Sequence, residues 1–148
     1  MAKSRSQRLE VVLTVAERKR REAERFLAEA RQRVEQGEQG IQQLQTYLGE
    51  YQQQFTQHGR EGLSVGALQS QQAFLQKINA TIIAQEQALV HARDQLQQVQ
   101  AHWQQAYARE KGIEELVRKA RESELQQADK QLQREIDERS QHRRPQYI

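Results

Sequence analysis

The sequence predicts an all-α protein, an antiparallel two-helix coiled-coil hairpin whose second helix is longer and overhangs the first. Three observations predict it. Stepping by four and three residues from Leu9 gives Leu13, Ala16, Arg20, Ala23, Leu27, Ala30, Val34, Gly37, Ile41, Leu44, Leu48, Tyr51 and Phe55. A second such seam starts at Leu68 and continues through Gln71, Leu75, Ile78, Ile82, Gln85, Leu89, Ala92, Leu96, Val99, Trp103, Ala106 and Glu110 to Ile113. A repeat of 3.5 residues keeps one stripe facing a partner helix if the pair supercoils left-handedly. Between the seams lies His58-Gly59-Arg60-Glu61-Gly62-Leu63, with glycines able to take positive φ at a turn.

The first helix is expected over about residues 5–57, capped by Ser4 or Ser6, whose hydroxyl can accept a first-turn N–H. Gly37, Gly40 and Gly49 each cost up to about 1 kcal/mol relative to Ala, so a local bend near residues 37–40 is expected. The bend covers about residues 58–64. Ser64 is placed to cap the second helix, which should run from about 65 to about 141 and stop before Arg143-Arg144-Pro145. Residues 142–148 are expected as a disordered tail, so that residues 1–148 make a single hairpin domain.

Folding back near residue 61 sets residue i opposite about 122 minus i and matches the seams like with like. Leu27 then meets Leu96, Val34 meets Leu89, Ile41 meets Ile82 and Leu48 meets Leu75. Arg20 faces Trp103, where a guanidinium can stack on indole, and Leu13 faces Glu110. Helix one is used up opposite about residue 115, so an overhang is expected beyond about 118. The spacing Ile113, Val117, Arg121, Leu125 reads there as a stutter, and Ala120, Leu125, Ala128, Leu132 and Ile136 as a thin apolar stripe. Such a helix either docks on another protein or stays exposed.

Composition bounds the function. The 148 residues are 29% charged and 5% aromatic, with no Cys and one Pro, and the mean hydropathy is −1.03. No apolar run approaches the roughly 20 residues of a membrane span, and the lack of Cys suits a reducing compartment, so a cytoplasmic protein without direct membrane insertion is expected. Residues 1–35 hold ten Lys/Arg against six Glu, a positive excess that suggests an acidic partner surface. Arg18-Lys19-Arg20-Arg21 points in all directions around a helix among Glu17, Glu22 and Glu24, so no nucleic-acid partner is expected.

The four His lack metal-ligand spacing, Gly59–Gly66 contains no phosphate-loop pattern and no Lys-Ser/Thr after it, and Glu114, Glu115, Glu122 and Glu124 sit among Arg and Lys as a solvated face. No enzyme, metal or cofactor is expected, since a two-helix hairpin supplies no water-excluding cleft. Large apolar residues off the seam are more informative: Phe26, Tyr47, Phe74, Ile83, Val90, Tyr107 and Leu116. Phe74 is either an anchor for a partner or a cover over the Leu48/Leu75 layer.

Several segments carry a resemblance that spans essentially the whole chain. They are Leu9-Glu10-Val11-Val12-Leu13 through Glu22-Ala23-Glu24-Arg25, then Tyr47-Leu48-Gly49-Glu50-Tyr51 before a Gly-containing bend. After it come Gln71-Gln72-Ala73-Phe74-Leu75-Gln76-Lys77-Ile78 and a long helix carrying Trp103. In this layout the chain resembles the flagellar FliJ family, the small coiled-coil component of the flagellar type III export apparatus. The resemblance implies a fold similar to the central stalk of rotary ATPases. It implies binding to the hexameric export ATPase, promoting ring assembly and activity, to the cytoplasmic domain of the export-gate membrane protein, and to export chaperones.

The same resemblance implies a chain that is monomeric when free and peripherally associated with the inner membrane at the flagellar base. Its gate-binding stripe maps to Phe74, Ile78, Thr81 and Gln85. Ile78 and Gln85 also belong to the seam, a conflict that only Phe74 and Thr81 escape. By analogy the end carrying both termini seats on the ATPase ring, with Arg18, Arg21, Arg118, Lys119, Leu125, Leu132 and Ile136 as contacts. An equivalent stalk protein of a virulence-type injection system, and a structural coiled coil dimerising through its overhang, are the alternatives.

Overall fold

Two serines start the two helices. Ser4 Oγ accepts the Gln7 N–H at 3.3 Å while Gln7 Oε1 accepts the Ser4 N–H at 3.1 Å, a reciprocal capping box. Ser64 Oγ accepts the Ala67 N–H at 3.2 Å. In the computed structural model, which describes residues 2–60 and 62–143, α1 spans Arg5–Arg60 and α2 spans Val65–Arg143, with no strand among the described residues. The two helices pack against each other as an antiparallel hairpin.

The bend is shorter than its composition suggested. Residues 58–60 close the last turn of α1, and Gly62 takes the one left-handed conformation among the described residues, φ 81°. At the other end α2 continues through His142 and Arg143, so the expected tail is helical there, and its remainder, 144–148, lies outside the described residues. Helix α1 runs through Gly37 and Gly40 without interruption. Among the described residues no helix is long and apolar enough to cross a membrane.

Contacts divide the chain into two units: Ala23–Trp103, and the chain up to Glu22 together with the chain from Gln104 on. Within Ala23–Trp103, Leu27, Ala30, Ile41, Ile78, Ile82 and Leu89 are buried, and Val34, Leu48, Leu75, Leu96 and Trp103 are half-buried. Gln85 departs from the seam expected for it and is exposed. A Cβ added to Gly37 would come within 3.2 Å of Leu89 Cδ1, so residue i lies opposite about 126 minus i, one turn away from the like-with-like expectation. Glycine faces leucine because unlike sizes fill the space between helices better than two equal layers.

The other unit follows the same offset. Ala16, Ile113 and Val117 form a buried cluster with Leu9 and Leu13 packed on it. Leu13 therefore does not face Glu110. Instead Arg20 Nε donates to Glu110 Oε2 at 2.6 Å and Arg20 Nη2 to Oε1 at 3.2 Å. At this offset each charged residue stands level with an alanine of the other helix, Arg20 with Ala106 and Glu110 with Ala16. Helical side chains lean toward their own N-terminus, so the two lean toward each other over those small residues.

The overhang also begins later than expected. Val117 and Ala120 are buried, Glu10 pairs with Arg121, and Ser6 bonds to Glu124. No stutter occurs here: the inward stripe proceeds by fours and threes from Ile113 through Val117 and Ala120 to Glu124. The same stripe then meets Gln127, Gln131, Arg134 and Glu138, all polar, and every residue from Leu125 to His142 is exposed.

Candidate functional site

In the unit Ala23–Trp103, three aromatic side chains converge across the two helices. Phe74 of α2 lies 4.7 Å from Tyr51 of α1, ring centre to ring centre, and 6.4 Å from Tyr47 in an edge-on arrangement of 77°. Tyr51 is half-buried and forms the floor, whereas Phe74 is 38% exposed and Tyr47 50%. Such edge-on and tilted pairs contribute about 0.5–1.5 kcal/mol beyond area burial. They hold both exposed rings in place, as a binding surface requires.

The four residues proposed for α2 separate. Phe74, Thr81 and Gln85 are exposed, while Ile78 is buried at 7%. Thr81 Oγ1 donates to the Lys77 carbonyl at 2.9 Å, so its hydroxyl is satisfied within the helix and its methyl remains for contact. Ile78 is buried in the seam and offers little of itself. Tyr47 stands out in the sequence as an off-seam aromatic, but the contact of Phe74 with Tyr51 was hidden by the register. With residues paired at about 122 minus i, Phe74 stands level with Leu48. Shifted by one turn it comes against Tyr51.

In the other unit the basic candidates differ in how free they are. Arg18, Arg21 and Lys119 are exposed and form no salt bridge among the described residues. Arg118 is held between Glu115 and Glu122. Its hydrogen bond to Glu115 raises the guanidinium pKa and draws the Glu115 carboxyl down. Arg118 is thus a neutralised charge with an apolar stem. Leu125, Leu132 and Ile136 are 64%, 56% and 47% exposed on the unpaired length of α2. Leu13, Val117 and Leu125 line a shallow open groove rimmed by Glu114, Arg118, Arg121 and Glu122.

Glu124 has a separate task. It accepts the Ser6 N–H at 3.0 Å and the Ser6 hydroxyl at 2.7 Å. These bonds, the hydroxyl first, lower its carboxyl pKa. Helix α1 has no acid in its own first turn, and Glu124 supplies the negative charge its N-terminus favours. Among the described residues no His, Cys, Asp or Glu cluster could hold a metal ion.

A family model described as "Flagellar FliJ protein" matches residues 5–145. The chain belongs to this family. No curated protein and no solved structure gives a match. As a FliJ-family chain it is a flagellar type III export-associated protein, and the family is a non-catalytic export component.

Proposed function

We propose that this FliJ-family chain is a cytoplasmic export component, peripheral to the inner membrane, that binds the hexameric export ATPase and promotes its ring assembly. It also contacts the cytoplasmic domain of the export gate and escorts export chaperones. The observation that carries this reading is that each unit has its own set of exposed apolar side chains. Phe74 and Tyr47 stand on a rigid aromatic floor in one, and Leu125, Leu132 and Ile136 lie along an unpaired helix in the other.

Rigid aromatic anchors suit a folded partner surface such as the gate domain. An exposed helix stripe in the same unit as the exposed cations Arg18, Arg21 and Lys119 suits an acidic, concave partner such as a ring lumen.

Pull-down from cytosol and solubilised membranes tests the division. Phe74→Ala is expected to lose the gate protein and keep the ATPase. Truncation after Glu124, which leaves the paired helices whole, is expected to lose the ATPase and keep the gate. Recovery of neither partner by the wild type at any salt concentration overturns the reading. A stable homodimer that depends on Leu125, Leu132 and Ile136 would favour a structural coiled coil instead.

A further inference from the structure

We propose that the Arg20–Glu110 pair selects the register in which the two helices of the hairpin meet. The apolar seams by themselves do not choose. Paired at about 122 minus i they align Leu27 with Leu96 and Val34 with Leu89, and slid by one turn they place Gly37 against Leu89, as observed. Both registers bury continuous stripes of comparable composition.

The two charged members of the seams do discriminate. In the like-with-like register Arg20 meets Trp103 and Glu110 meets Leu13, which parts the two and sets the Glu110 carboxylate against an aliphatic side chain. In the observed register they make a two-pronged ion pair at 2.6 and 3.2 Å, with Glu110 4% exposed and the Arg20 side chain 21%. A buried pair adds little stability over apolar residues of similar volume, but leaving either charge alone is costly. Its effect therefore falls on the competing arrangement, as with single polar residues that set coiled-coil register. The chain has the slack for a slip: the last turn of α1 carries Gly59 in open space, and unwinding that turn moves the bend.

The chain has no Cys, so spin labels can be placed at will. Glu22→Cys and Ser123→Cys put exposed labels on α1 and α2 within one unit, at neither member of the Arg20–Glu110 and Glu10–Arg121 pairs. Electron–electron distance measurement should give one population in the otherwise unaltered chain. Replacing the pair by Arg20→Leu/Glu110→Leu should keep the helical circular dichroism and add a second population. That population should lie on the order of 5 Å further apart, from a slip of one turn at 1.5 Å per residue. Arg20→Glu alone, which sets two carboxylates together, should also populate the longer distance, and adding Glu110→Arg should restore the single one. An unchanged single population in both Arg20→Leu/Glu110→Leu and Arg20→Glu would overturn the proposal, leaving size matching as the sole determinant of register.

Discussion

The two units are built on one sequence pattern and held by different chemistry. In Ala23–Trp103 the helices meet through aliphatic layers and the Tyr47–Tyr51–Phe74 cluster, and an ion pair that crosses between them there, Arg93 with Glu38, has both side chains more than half exposed. In the unit that carries the described ends of α1 and α2, polar contacts join the helices, among them Ser6–Glu124, Glu10–Arg121 and Arg20–Glu110. Aliphatic layers supply burial but tolerate sliding. Charged and hydrogen-bonded contacts add less net stability and tolerate little displacement. Each unit should therefore fail in its own way.

The largest effect is expected where burial is lost. Leu27 is 6% exposed in the seam, and Leu27→Ala should cost about 3 kcal/mol, near the low end for core leucines because a two-helix layer can partly collapse. Chemical denaturation followed by circular dichroism measures it. Glu110→Ala should cost less, about 2 kcal/mol, because the Arg20 guanidinium is partly exposed and can recover water. An equal or larger loss for Glu110→Ala would break the comparison, showing that the pair contributes net stability as well as selectivity.

Acid should act on one chemistry and spare the other. The Glu110 carboxyl is held below its ordinary value chiefly by the Arg20 hydrogen bond, and Glu124 by its bonds to Ser6. A carboxylate lowered in the folded state contributes stability that is fully present above its unfolded pKa, about 4.3, and is lost as pH falls through the folded one. Amide exchange should therefore quicken first in the first turns of α1 as pH drops below about 5, after correction for intrinsic rates. Residues 75–100 should hold longer. Glu110→Gln with Glu124→Gln should flatten that acid limb by removing near neutrality the stability that the wild type loses only in acid. Uniform loss across both units would mean that the polar contacts are not what acid releases.

How far the sequence alone could go follows from the same contrast. The helices, the turn and the buried stripes were legible because a 3.5-residue repeat and two capping serines act locally. The register was not, since heptad seams look alike after a one-turn slide. What broke the tie was Gly37 beneath Leu89 and the reach of Arg20 toward Glu110, both properties of three-dimensional packing. Three differences followed from that one turn: Leu13 left Glu110, the overhang began at Leu125, and Phe74 met Tyr51. Gln85 differed for another reason, since a glutamine can leave a seam for water at little cost. The exposure of Leu125, Leu132 and Ile136 on the unpaired helix was legible because it needs no register.

The smallest effect sharpens the comparison most, because it tests packing within Ala23–Trp103 with no charge involved. Gly37 and Gly40 lie one turn apart in α1, and each lowers helix propensity by about 1 kcal/mol relative to Ala. A Cβ at Gly40 meets nothing within 4 Å, so Gly40→Ala should recover that propensity and raise stability by about 1 kcal/mol. At Gly37 the new methyl would stand 3.2 Å from Leu89 Cδ1, tighter than ordinary contact. That carbon is the end of a flexible side chain that can turn aside, at the expense of its own packing in the seam. Gly37→Ala should therefore be close to neutral, with the gain in propensity offset by strain at Leu89. The decisive variant combines Gly37→Ala with Leu89→Ala, its stability set against those of the two single changes. With the close approach in place, the loss from Leu89→Ala is smaller when alanine already stands at position 37, since the added methyl fills part of the cavity. Strict additivity of the two changes would place Leu89 away from Gly37 and return the register to the like-with-like pairing.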